Sequence, residues 1–174
     1  MSGTSIRRAT TADLTAIQQV IADAYTKYIE RIGRPPAPMT ADYATALGRS
    51  RVWVAERDDA IVGALVTEDH ADHLLLETVA VAPGVQGMGY GRLLLERAEC
   101  DAVELGLTEV RLYTNEAVTE NLTFYPRHGY RETHRAVDDG FRRVYFSKAV
   151  RHNDVGDVRD GDGGDDLERG GITQ

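Results

Sequence analysis

The sequence predicts one mixed α/β domain on a mostly antiparallel sheet, and three observations carry that expectation. Its 174 residues suit a single domain at about 150 residues each, with a little chain to spare. Apolar residues make up 42% and charged residues 28%, a balance that excludes a wholly disordered chain. The apolar spacing switches between helical and strand periods in the order strand, two helices, three strands, helix, strand, helix, two strands.

Residues 6–9 read as a short strand. Thr10 or Thr11 then offers an N-cap oxygen, with Asp13 in the first turn, where a carboxylate meets the helix dipole. Leu14, Ile17, Ile21, Ala24, Tyr25 and Tyr28 recur at helical spacing and predict one amphipathic helix to about Glu30. The run Gly33-Arg34-Pro35-Pro36-Ala37-Pro38 ends it, because a proline cluster cannot continue a helix. A second, short helix follows over 40–47 with Thr40 as its cap. Strands at 51–57, 60–67 and 73–81, separated by turns at Asp58-Asp59 and 68–72, predict an antiparallel meander. Leu94, Ala98, Ala102 and Leu105 mark a long helix over 89–105, capped by Gly106. A strand at 109–114 and a short helix at 119–128, ended by Gly129, come next. Strands at 130–137 and 141–149 form a hairpin across Asp138-Asp139-Gly140.

These elements place the folded domain at 5–150. Lys and Arg total 20 against 28 Asp and Glu, a net charge of −8, which disfavours nonspecific binding to nucleic acid or anionic membranes. Half of that charge sits in 151–174, where seven acids face three arginines. This Gly/Asp-rich stretch is too poor in apolar residues to offset the entropy of ordering, so a flexible acidic tail is expected. Asp160, Asp162 and Asp166 fit three positions of a calcium loop, but Asp165 stands where glycine is needed and Gly171 where glutamate is needed. No metal is therefore expected. One cysteine, Cys100, excludes an internal disulfide and fits a reducing cytoplasm. No apolar run nears the roughly 20 residues of a membrane span, and residues 1–8 lack the apolar stretch of a secretory leader.

The chemistry gathers in Val79-Ala80-Val81-Ala82-Pro83-Gly84-Val85-Gln86-Gly87-Met88-Gly89-Tyr90-Gly91-Arg92. It reads strand, glycine-rich turn, helix. Glycines at every second position let the main chain approach a ligand with no Cβ in the way. The helix start beyond them offers unpaired N–H groups and a dipole that favour an anion, such as a phosphate or diphosphate. A nucleotide-hydrolysing loop would end Gly-Lys-Ser/Thr, and here Gly91 precedes Arg92-Leu93. A dinucleotide loop would need a glycine where Arg92 stands. A helix start with glycines for close packing is the plainer alternative.

Gln86-Gly87-Met88-Gly89-Tyr90-Gly91 resembles the Gln/Arg-x-x-Gly-x-Gly/Ala signature of the GNAT superfamily of acyl-CoA-dependent N-acyltransferases. Val79 to Pro83 is similar to that family's central strand and its exit. Asn121-Leu122-Thr123-Phe124-Tyr125-Pro126-Arg127-His128-Gly129-Tyr130 resembles its later motif, and Ile6 to Asp13 its opening. The resemblance spans 5–149. It implies a GNAT-like sheet splayed at the cofactor site, flanked by about four helices, with acetyl-CoA as co-substrate. It implies that the Val79-Ala80-Val81 strand binds the pantetheine arm, Val79 and Val81 by main-chain hydrogen bonds. The N–H groups of Gln86, Gly87, Met88, Gly89, Tyr90 and Gly91, with Arg92, would hold the diphosphate, and Asn121 would touch the cofactor arm.

Acetyl transfer to an amine raises two proton problems. A lysine-like amine has a pKa of about 10.4, so its neutral, attacking form lies roughly 4.6 kcal/mol uphill at pH 7. A nearby carboxylate can accept that proton, directly or through water. Glu77 is the candidate base: it interrupts an apolar strand, and strict alternation puts it on the face of Val79 and Val81. A carboxylate there either edges a cleft or is an ordinary exposed strand residue. The departing thiolate needs a donor, and the resemblance assigns that role to Tyr125, with Phe124 a core aromatic. His70 and His73 are weaker candidates, His128 reads as a helix-end cation, and Cys100 as a structural thiol. Tyr25, Tyr28, residues 34–39 and Tyr43 either line the acceptor site or form an ordinary helix face and turn. The acceptor is a small-molecule or peptide amine, left unnamed by the sequence. A non-catalytic acyl-CoA sensor and a nucleotide-binding regulator are the competing readings. Exposed strands of the C-terminal hairpin offer edges for a homodimer.

Overall fold

The computed structural model describes residues 3–152. Residues 153–174 of the expected tail, with its calcium-like aspartates, lie outside the described residues. Seven strands form one sheet: β1 (Thr4–Arg8), β2 (Arg51–Arg57), β3 (Ala60–Asp69), β4 (Leu74–Val81), β5 (Glu109–Asn115), β6 (Arg131–Asp138) and β7 (Phe141–Ala149). Their order is β1-β2-β3-β4-β5-β7-β6. Every pairing is antiparallel except β4 with β5. Both tight hairpins turn where the sequence places them. Asp58 and Asp59 (φ 51° and 65°) and Asp139 and Gly140 (φ 52° and 74°) take the positive dihedrals that match strand twist.

The helices are α1 (Leu14–Tyr25), α2 (Ile29–Ile32), α3 (Ala37–Thr40), α4 (Tyr43–Arg49), α5 (Tyr90–Glu104) and α6 (Asn121–Arg127). Each sheet face has its own core. Ile17, Val20 and Ile21 of α1 pack on Val52, Val54, Ala64, Val66 and Ala80. Leu94, Leu95, Ala98 and Ala102 of α5 pack on Leu65, Leu74, Leu76, Val110, Leu112 and Phe146 on the other face. Asp101 is fully buried on α5, yet it accepts from Trp53 Nε1 (2.8 Å) and Arg97 Nη2 (2.9 Å), so its charge is met. The start of α1 is fastened by Asp13, which accepts from the Thr10 N–H (2.7 Å) and from both terminal nitrogens of Arg7 (2.8 and 3.0 Å).

Three expectations need correction. The single helix over 10–30 is broken: a tight 3-10 turn over Thr26–Tyr28 separates α1 from α2. The Thr26 hydroxyl bonds the Ala22 carbonyl (2.5 Å), a contact that bends helices, and the turn sets the Tyr25 and Tyr28 rings edge to face at 6.0 Å. The cap of the next helix is Asp42 rather than Thr40. Its carboxylate accepts from the Thr45 N–H (3.0 Å) and hydroxyl (2.7 Å), whereas the Thr40 hydroxyl is spent on the Ala37 carbonyl.

The third correction concerns β4. Its register against β3 runs Val66 opposite Thr78, then Thr67 opposite Leu76, which leaves Glu77 as an extra, unpaired residue. This is a β-bulge, and it resets the alternation. Leu76, Val79 and Val81 face α5, while Ala80 faces α1. Glu77 shares a groove with Asp42, Thr45 and Arg49 at α4. It is therefore not on the face of Val79 and Val81.

Candidate active site

The site begins where β4 and β5 part. They pair only through Leu74–Val110, Leu75–Arg111 and Leu76–Leu112. Beyond Leu76, β5 continues along β7, and β4 keeps β3 alone. The Ala82 N–H donates to Val62 of β3 (2.8 Å), so by alternation Val79 and Val81 turn their main-chain groups to the open side. Both carbonyls there are engaged: Val79 accepts from Tyr25 Oη (3.0 Å) and Val81 from Gln86 Nε2 (3.0 Å). The two N–H groups face the gap.

The loop after β4 is shaped by its glycines. Gly87 and Gly89 take φ 82° and 93°, the left-handed region where a side chain is strained. At Gly91 a Cβ would lie 3.0 Å from Phe124 Cζ, so a side chain there would press on that ring. The first internal bond of α5 is Leu93 N–H to Gly89 C=O (3.1 Å), so the N–H groups of Tyr90, Gly91 and Arg92 have no acceptor within the helix. An open strand edge beside such a helix start suits an extended ligand that ends in an anion.

One cleft brings together Val79, Ala80, Val81, Gln86, Gly87, Gly91, Asn121 and Tyr125. Ala24, Tyr25, Lys27, Tyr28, Glu120 and Phe124 complete it, and the sequence does not place them there. Met88, Gly89, Tyr90 and Arg92 do not line it. The Tyr90 ring is core and its hydroxyl meets Thr4 Oγ1 (3.2 Å). Arg92 points outward and pairs with Glu96 (2.7 Å). Exposed Met88 contacts Arg57 through sulfur. The Asn121 amide donates to Thr114 Oγ1 (3.0 Å).

A second pocket opens on the other side of Tyr25, Val79, Asn121 and Tyr125, which line both. It holds Glu77, and Pro36, Ala37 and Pro38 of the proline-rich loop, with Tyr113, Phe141 and Arg143 from the far strands. Tyr28 belongs to the first cleft, and Tyr43 is buried with its hydroxyl on the Pro38 carbonyl (2.6 Å). Glu77 and Tyr125 thus line one pocket. Tyr125 is 4% exposed, packed among Phe124, Tyr130 and Phe146. Burial raises its phenol pKa, with Tyr28 adding a little, so it stays protonated at neutral pH. The Glu77 carboxyl is also raised, first by partial desolvation and then by Glu68, while Arg49 opposes.

The remaining candidates are peripheral. His73 Nδ1 meets Asp72 (2.7 Å) and its ring stacks on His70. His128 Nδ1 lies 2.8 Å from the Phe124 carbonyl at the end of α6. Burial raises the Cys100 thiol. Among the described residues no cluster of His, Cys, Asp or Glu is placed to hold a metal, and no helix is long and apolar enough to cross a membrane.

A splayed sheet with a glycine-built helix start defines a coenzyme-binding transferase type of fold, and comparison with known proteins names the family. The model of the acetyltransferase (GNAT) domain matches residues 48–132. Peptidyl-lysine N-acetyltransferase YjaB of Escherichia coli is 32% identical over 117 residues, covering 62% of this chain and 73% of that protein. A mycothiol acetyltransferase of Geodermatophilus obscurus is 38% identical over 66 residues, 38% of this chain. The chain spans only 21% of that relative's length. The PaiA N-acetyltransferase of Thermoplasma acidophilum, solved in complex with coenzyme A, superposes with a TM-score of 0.72 at 17% identity, over 84% of this chain and 99% of that one. The chain belongs to the GNAT acetyltransferase family.

Proposed function

We propose that the chain moves an acetyl group from acetyl-CoA to a primary amine by direct transfer with both substrates bound. The observation that carries this is the unpaired edge of β4 leading into the glycine-built start of α5. The pantetheine arm lies along Val79 and Val81, as a strand would, and the diphosphate rests on N–H groups between Gln86 and Arg92. The thioester then reaches the junction of the two pockets at Tyr125, and the amine enters beside Glu77. Glu77, directly or through water, takes the amine proton. The nitrogen attacks the thioester carbon, the C–S bond breaks, the Tyr125 phenol donates a proton to the departing sulfur, and the extra proton left on the new amide nitrogen passes through water to restore the phenol. The raised Glu77 pKa brings the base nearer to the amine in proton affinity, which favours the transfer.

Relatives named for peptidyl-lysine and for mycothiol acetylation support an amine acceptor without choosing one. The single cysteine suits a reducing cytoplasm. The largely exposed edge strand β6 offers a route to a homodimer, which sedimentation would test. Calorimetry with acetyl-CoA tests the central reading: binding in the micromolar range is expected, and no heat at high micromolar ligand overturns it. Binding without CoA release across a panel of amines would favour the sensor.

A further inference from the structure

We propose that the amine acceptor is a small, amino acid-like molecule carrying a carboxylate, and that Arg143 selects it. This rests on the acetyl-transfer reading and concerns the pocket beside the coenzyme cleft. Arg143 lies on β7 between residues of the paired sheet, and its side chain is only 12% exposed. It lines the same pocket as Glu77. The guanidinium stacks on Tyr113, 4.2 Å from the ring centroid.

A guanidinium carries five N–H donors. Among the described residues, its acidic contact is one 3.4 Å approach to Asp139, which is itself 83% exposed at the hairpin turn. The Tyr145 hydroxyl also accepts from the guanidinium while it donates to Asp138. With only a long contact to Asp139 and the Tyr145 hydroxyl as partners, a nearly buried cation faces the pocket with donors to spare. Burying a cation so poorly partnered is unfavourable, and its planar fork fits a carboxylate through two parallel hydrogen bonds.

The other polar end of the pocket is Glu77, suited to a cationic amine. The rest of the lining mixes apolar Pro36, Pro38 and Val118 with the neutral polar Thr78, Thr114, Asn115 and Asn121, and Glu77 and Arg143 are its two charged members. One anion and one cation in a single pocket match a ligand that carries an amine and a carboxylate. The pocket is bounded on the Arg143 side, because Arg34 stacks on Phe141 (3.5 Å) and donates to the Asp139 carbonyl (2.7 Å), tying the hairpin to the proline-rich loop. That closure favours a small molecule over a polypeptide passing through.

The test uses two acid and amide pairs of matched amines: para-(aminomethyl)benzoate and ε-aminocaproate, each with its carboxamide. Binding is measured by calorimetry on CoA-saturated protein, and CoA release is measured separately with acetyl-CoA. Each acid should bind at least about tenfold tighter than its amide. Arg143→Gln should erase that preference and Arg143→Lys keep part of it, with CoA binding as the control for folding. Equal binding of acid and amide by the unaltered protein overturns the proposal, as does a preference that survives in Arg143→Gln. A lysine peptide free of carboxylates that is acetylated faster than both acids also overturns it. Selective acid binding without any CoA release supports the pocket and overturns acetyl transfer instead.

Discussion

The two pockets that meet at Tyr125 are built in opposite ways. The side proposed for the coenzyme is made of main chain: the open edge at Val79 and Val81, and the amides of the bend before α5. The acceptor side is made of side chains, Glu77, Tyr113 and Arg143, delivered by three different strands. A main-chain site requires missing Cβ atoms and unpaired N–H groups, so it stamps glycines at fixed spacing. A side-chain site requires only ordinary residues, brought together by the sheet. The first kind can hold a ligand common to a whole family, and the second is free to differ in each member.

The sharpest way to break this division is Tyr125→Phe, which removes one hydroxyl at the boundary. Turnover should fall roughly 10²–10⁴-fold, with CoA affinity nearly unchanged, as read by steady-state kinetics and calorimetry. If CoA affinity falls in step, Tyr125 belongs to the coenzyme side and the division fails. Glu77→Gln should cost about 10²-fold in turnover and leave CoA binding intact. The base form of Glu77 is lost as pH drops through its raised pKa. The acid limb of kcat/KM should therefore lie above the ordinary glutamate range, and should vanish in the variant; a limb that persists removes Glu77 from the reaction.

Gly91→Val tests the opposite side. The new side chain enters the space of Phe124 Cζ, 3.0 Å from the Cβ position. CoA affinity should weaken roughly tenfold or more, with about 1–3 kcal/mol of overpacking in thermal melts. Unaltered CoA affinity would show that the bend does not grip the coenzyme. Asp13→Asn lies far from both pockets and should change stability alone, by about 1 kcal/mol, because its partner Arg7 is 39% exposed and screened. Arg7 first, then the Thr10 N–H, holds the Asp13 carboxyl below the usual range in the folded chain. Its stabilisation is therefore present above the unfolded pKa and lost as pH falls toward the folded one. A melt across that acid window should show the parent losing its advantage over the variant.

What was legible follows the same division. The β2 boundaries and the glycine bend were plain, because turn residues and Cβ-free positions are local requirements. The 3-10 break after Tyr25 was not, since Leu14 to Tyr28 keeps a helical period through it. Glu77 was found as a lone acid in an apolar strand, but its face was misjudged. A bulge is set by pairing with β3, and alternation within one strand cannot display it. Arg143 gave no signal at all: beside Arg142 it looks like another solvent-facing cation, and only the packing of Tyr113 and the turn at Asp139 distinguishes it.

The unpaired status of Glu77 means the sheet carries it as a surplus residue. Leu76 and Thr78 already face consecutive positions of β3, so a chain shortened by that one residue would keep each later side chain on its present side. Such a deletion should melt much like its parent while losing proton abstraction. If Glu77 is the base proposed above, the strand's architecture and its reactivity are separable by a single codon.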